Sequence, residues 1–237
     1  MTKVLENNIC KINYSSSLYK LAKDTIVLLE QKIKEYQLLF DVKMDEKFIV
    51  NYFDKIDDFR DFIYEIRKEN ISLPSYATGT YDNGMINAYI APKVQMESRY
   101  TASHELFHIL YMKYILANDY SKRIVWYDEG MAQFVSGEKD YLEKNDNFLK
   151  FYFKVKEQTK IIPDMNTIEH GTSFCNDDYN GYDLSYLAIR YLSEILNRKQ
   201  FIELMSQFSN IKTLGNDIIL KMFKYYDKKL EKRITKI

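Results

Sequence analysis

The 237-residue sequence predicts an α+β protein: a small N-terminal mixed sheet with an edge strand, packed on a mostly helical C-terminal half. Three observations lead there. Gly (7) and Pro (3) are scarce, so turns are few and elements long. Apolar residues are 46% of the chain, enough for a sizeable core. Strand-like alternation is confined to the first 92 residues, and helical periodicity dominates from Glu97 onward.

Taken in order, Ser15-Ser16-Ser17 offers N-cap candidates for a first helix running to about Phe40. Leu18, Leu21, Ala22, Thr25, Leu28, Leu29 and Ile33 line one face of it. Lys47 to Phe53 reads as a strand, and Asp57 to Asn70 as a helix with Phe59, Phe62, Ile63 and Ile66 on one side. Tyr76 to Pro92 reads as a hairpin about the turn signal Asp82-Asn83-Gly84. Helices are expected over about 97–118, 126–137, 139–158, 182–196, 198–208 and 214–235, with Ile161 to Asn180 as a loop. These elements divide into an N-terminal α/β subdomain, 1–96, and a helical subdomain, 97–237, forming one compact unit.

Lys+Arg and Asp+Glu are both 34, so the balanced charge gives no basic footprint for nucleic acid. It gives no attraction to anionic membranes either. No run reaches the ~18 apolar residues of a membrane span. The first residues lack the apolar core of a signal peptide, so the default expectation is a cytoplasmic protein. Cys10 and Cys175 are far apart and form no C-x-x-C pair.

Chemistry concentrates in Thr101 to Leu110, TASHELFHIL, which contains H-E-x-x-H at His104, Glu105 and His108. Histidines four apart stack on one helix face, where both imidazoles can reach one Zn²⁺. Glu105 sits beside the pair, placed to take a proton from an attacking water. A packed, hydrogen-bonded histidine pair is the plain alternative. A catalytic zinc also needs a third protein ligand. The continuation H-x-x-G-x-x-H is absent, since Tyr111 and Tyr114 stand at those places, and the remaining histidine, His170, is distant. The next predicted helix carries Trp126-Tyr127-Asp128-Glu129-Gly130-Met131-Ala132, and an antiparallel return would bring Glu129 back to the pair.

H-E-x-x-H followed by W-x-x-E-G-x-A resembles the gluzincin metallopeptidases, which include thermolysin, membrane alanyl aminopeptidases and small peptidase MA-like proteins. The resemblance covers about residues 76–210. It implies a thermolysin-like (zincin) fold, one zinc per chain on His104, His108 and Glu129, and Glu105 as general base. It implies hydrolysis of a peptide or protein substrate. Gly181 to Leu192, GYDLSYLAIRYL, resembles the helix whose first Tyr donates to the oxyanion, aligned here with Tyr182, although Tyr179 and Tyr186 compete.

The family also has a substrate-binding edge strand before the zinc helix, a place occupied by Met85 to Ala91, which equally reads as an ordinary half-buried strand. Two departures matter. The aminopeptidase element G-x-M-E-N is replaced by Gly84-Met85-Ile86-Asn87, without the Glu that holds a free amine, so endopeptidase cleavage is expected. The Asp that orients a zinc histidine in thermolysin is Gln133 here, with Asp128 as a substitute candidate or simply an acid favoured at a helix start. The competing expectation is a zinc-binding interaction module without catalysis.

Overall fold

A computed structural model describes residues 3–44, 46–68, 78–82, 84–92, 98–144, 147–168 and 173–234. The chain is α+β, with a five-stranded mixed sheet and a mostly helical remainder. It divides into two compact units, Met1–Tyr114 and Ile115–Ile237.

The first unit contains β1 (Lys3–Glu6), β2 (Cys10–Tyr14), α1 (Tyr19–Phe40), β3 (Phe48–Phe53), α2 (Ile56–Arg67), β4 (Gly79–Asp82), β5 (Met85–Tyr89) and α3 (Arg99–Leu110). Strand order is β1-β2-β3-β5-β4. The outer pairs β1/β2 and β4/β5 are antiparallel, and β2/β3 and β3/β5 are parallel. The strands alternate, so the sheet has two distinct faces. Cys10, Ile12, Val50, Tyr52, Ile86 and Ala88 are buried on one face. There α1 covers them, with Thr25 and Tyr52 sharing a hydroxyl hydrogen bond of 2.9 Å. On the other face α2 packs Phe59 and Phe62 against Phe53.

That second face carries a polar row. Asn13, Asn51 and Asn87 are register partners across β2, β3 and β5. Asn13 donates to Asn51 at 2.7 Å, and Asn51 to Asn87 at 2.8 Å.

Several expectations shift. β1 and β2 had no counterpart in the sequence reading. Between them Asn7 Oδ1 accepts from the backbone of Ile9 and Cys10, the side-chain turn for which Asn is suited. The serines do not cap α1. Ser15 and Ser17 donate instead to Asp54 Oδ2, holding that carboxyl below its usual range. α2 stops at Arg67 because Lys68 turns left-handed, at φ 52°. The 76–92 hairpin forms β4 and β5 about Gly84 at φ 78°, while Tyr76, Ala77 and Asn83 lie outside the described residues. Met85 to Ala91 is not an edge strand. β5 is bonded on both sides, and β4 is the edge.

The expected seam near residue 97 also differs from the observed division after Tyr114. α3 belongs with the sheet because Tyr36 and Phe40 of α1 pack on Phe107, and Tyr36 donates to the Ser103 carbonyl. α3 then continues as a π-helical turn over Tyr111–Ile115.

The second unit contains α4 (Val125–Ser136), α5 (Asn147–Gln158), α6 (Gly181–Ile195), α7 (Arg198–Leu204), α8 (Phe208–Gly215) and α9 (Ile218–Ile234). α4 and α6 meet at Gly130, where a methyl group would stand 2.6 Å from the Ser185 carbonyl oxygen. Glycine is what permits that approach. The predicted 139–158 helix is a 3-10 turn over Asp140–Glu143 followed by α5, and the predicted 214–235 helix resolves into the end of α8 and α9. The expected 161–180 loop holds no helix or strand among its described residues, only a Cys175–Asn180 bridge.

Candidate metal centre

On α3, the half-exposed residues between Thr101 and Leu110 are Thr101, His104, Glu105 and His108, and the others are buried. That spacing of three, four and seven puts them on one helix face. The buried side is Ala102, Ser103, Leu106, Phe107, Ile109 and Leu110. Packing of the apolar side therefore fixes which way the histidines point. Their rings lie 4.8 Å apart at 76°.

Glu105 is held close to the sheet edge. A methyl group on Gly79 of β4 would come within 2.9 Å of Glu105 Oε1 and 2.8 Å of Thr101 Cγ2.

On α4, Asp128 and Glu129 are buried, at 0% and 4% exposure. Buried carboxylates need a charged or hydrogen-bonded partner. Arg123 supplies one, with Nε donating to Asp128 Oδ2 at 2.5 Å and Nη2 to Glu129 Oε1 at 3.0 Å. Arg123 is a site residue that the sequence reading missed. Its signal is position, two residues ahead of a helix whose fourth and fifth residues are acids.

His104, His108 and Glu129 form a group that could hold a metal ion, each offering a ligand atom within 4.8 Å of the others. Zinc ligands in a tetrahedron stand about 3.4 Å apart, a difference that side-chain rotation can close. Two imidazoles and a carboxylate are donors that Zn²⁺ accepts, although other divalent ions bind nitrogen and oxygen too. The three predicted ligands thus meet, and the donor set fits a divalent cation.

The other candidates fare differently. Gln133 Nε2 donates to the Tyr182 carbonyl at 2.9 Å and ties α4 to α6. Asp128 holds Arg123. Tyr182 occupies the first turn of α6, its ring edge-on to Phe174 at 4.6 Å. Of the two competing tyrosines, Tyr179 donates to the Ser173 carbonyl at 2.9 Å, and the Tyr186 hydroxyl accepts from Arg190 at 3.3 Å. Burial also pushes the Tyr186 phenol above its ordinary pKa. His170 lies outside the described residues.

No protein-family model matches the chain, and a search of curated proteins finds no matching relative. Among the described residues no helix is long and apolar enough to cross a membrane.

Proposed function

We propose that the chain is a zinc-dependent metallopeptidase of gluzincin type, with a thermolysin-like arrangement of its site. The observation that carries this reading is the convergence of His104, His108 and Glu129 with Glu105 beside the pair. A divalent cation on those three donors would polarise a peptide carbonyl and acidify a water. Glu105 takes the proton from the attacking water and passes it to the leaving amine. The hydroxyl of Tyr182 donates a hydrogen bond to the oxyanion.

The sheet edge supports a peptide substrate. Among the described residues β4 pairs with β5 alone, so its other side can add an extended strand. Such a strand would lie beside Gly79, against which Glu105 Oε1 rests. The run Gly84 to Asn87 belongs largely to the internal strand β5, with Asn87 fully buried, and offers no grip on a free amine. This favours endopeptidase action.

The test is zinc content followed by activity. Wild type should hold about one zinc per chain, lost in His108→Ala and Glu129→Ala. Glu105→Gln should keep the zinc and lose hydrolysis of a peptide library by about 10²–10⁴-fold. No zinc after reconstitution would sink the proposal. Zinc with no hydrolysis by wild type would leave a binding module instead.

A further inference from the structure

We infer that Arg123 is a positioning residue for Glu129, holding one carboxylate oxygen so that the other faces the metal. This rests on the metal-site reading above.

The argument begins with where the cation sits. Arg123 lies two residues before α4, at the positive end of the helix macrodipole. A guanidinium is disfavoured there unless something compensates. The compensation is pairing with two consecutive acids of α4, Asp128 and Glu129.

The geometry of the pairing is divided. The Nε and Nη2 edge of a guanidinium commonly grips both oxygens of one carboxylate. Here Nε goes to Asp128 and Nη2 to Glu129. Asp128, fully buried, anchors the fork at Nε, and Nη2 holds Oε1 of Glu129. A rigid planar donor of this kind sets the carboxylate plane as well as neutralising charge. Glu129 would otherwise rotate about its side chain and present both oxygens, one, or neither. Lysine, a point charge on a flexible stem, cannot bridge the two acids in the same plane.

The experiment measures Zn²⁺ affinity of the full-length protein by competition with a chromophoric chelator, and the visible spectrum with Co²⁺ in its place. Arg123→Ala should weaken zinc by about 10–100-fold, the usual effect of losing an outer partner of a ligand. Its cobalt spectrum should shift as Glu129 changes its mode of ligation. Arg123→Lys should fold and yet fail to restore either readout, and it carries the test if the alanine variant does not fold. Asp128→Asn, which loosens the anchor, should show a smaller loss in the same direction.

Wild-type affinity and spectrum in Arg123→Ala would overturn the inference, even with a lowered melting temperature of the metal-free protein. So would tighter binding in Arg123→Ala, or full restoration by Arg123→Lys, because charge alone would then be at work. Failure of the underlying reading looks different: wild type itself would take up neither ion, or Glu129→Ala would bind like wild type.

Discussion

Replacing Gly79 by alanine is the sharpest probe of how the sheet edge and Glu105 are built together. Its φ lies in a range open to any residue, so the backbone itself does not resist alanine. On backbone entropy alone the change would stabilise by about 0.4–1 kcal/mol. The added methyl group, however, would stand 2.8 Å from Thr101 Cγ2 and 2.9 Å from Glu105 Oε1, with Glu105 Cδ at 3.6 Å. Ordinary contact begins near 3.4 Å, so each must retreat by about half an ångström. Small-to-large strain of this kind costs about 1–3 kcal/mol, which outweighs the entropic gain. If Glu105 acts as the general base proposed above, displacement of its carboxylate on this scale should lower turnover by up to about 10²-fold.

Urea denaturation and zinc affinity separate these effects from one another. Gly79→Ala should lose roughly 1–2 kcal/mol and keep its zinc. The companion variant Thr101→Ser removes Cγ2 and with it one of the two clashes. The double variant should therefore regain part of the stability but none of the turnover. An alanine variant as stable and as active as wild type would refute the contact between β4 and Glu105.

Two further predictions concern the scaffold. Burial, helped by the charge of Glu30, pushes the Cys10 thiol up to about 12 from an ordinary 9.0. The folded form therefore holds its proton more tightly. Stability from this source is fully present below pH 9 and declines as the pH rises toward 12, by at most about 1.4 kcal/mol per pH unit. Comparing wild type with Cys10→Ala in urea at pH 8 and pH 10.5 should show a steeper decline in wild type; parallel declines would contradict the shift. Asn51→Ala removes the middle of the asparagine row and strands the Asn13 amide and the Asn87 carbonyl, at a cost of about 1–3 kcal/mol. A loss under 0.5 kcal/mol, from the same denaturation curves, would show that the row is bridged by water.

Long periodic runs made much of the fold legible. Of the stripe read from spacing alone, Leu21, Ala22, Thr25, Leu29 and Ile33 are buried on α1, Leu18 is buried just before it, and Leu28 is half-buried. β1 and β2, four and five residues long, are too short for periodicity alone to stand out; β4 and β5 are equally short, but the Asp82-Asn83-Gly84 turn signal marks their hairpin. Ser15 and Ser17 misled because a hydroxyl's partner can be distant in sequence. Asp54 is 39 residues from Ser15, and no local rule anticipates that bond. Of the two readings of Met85 to Ala91, the ordinary half-buried strand holds and the edge strand does not, for a related reason. Alternation shows that a strand has two faces, but neighbours in a sheet are set by pairing, and β5 enters between β3 and β4.

The candidate site divides along the same line. His104, Glu105 and His108 are legible because a single helix dictates their relation. Glu129 needed a second motif, since nothing local to α3 points to it. Gly79 and Arg123 carry no motif. One matters through the side chain it lacks, and the other through a fork shared by two acids. Both act on a carboxylate of the site, one confining Glu105 and the other Glu129. A metal site that is correct in its ligands still depends on such restraints, because three donors on flexible side chains have many arrangements and few that bind well. Variants at these two positions should thus separate in their readouts. Under the proposed reading, Gly79→Ala should disturb the base and spare the ligands, while Arg123→Ala should disturb a ligand and spare the base. If both variants lowered metal affinity equally, Glu105 would belong among the ligands, and the division of labour argued here would be wrong.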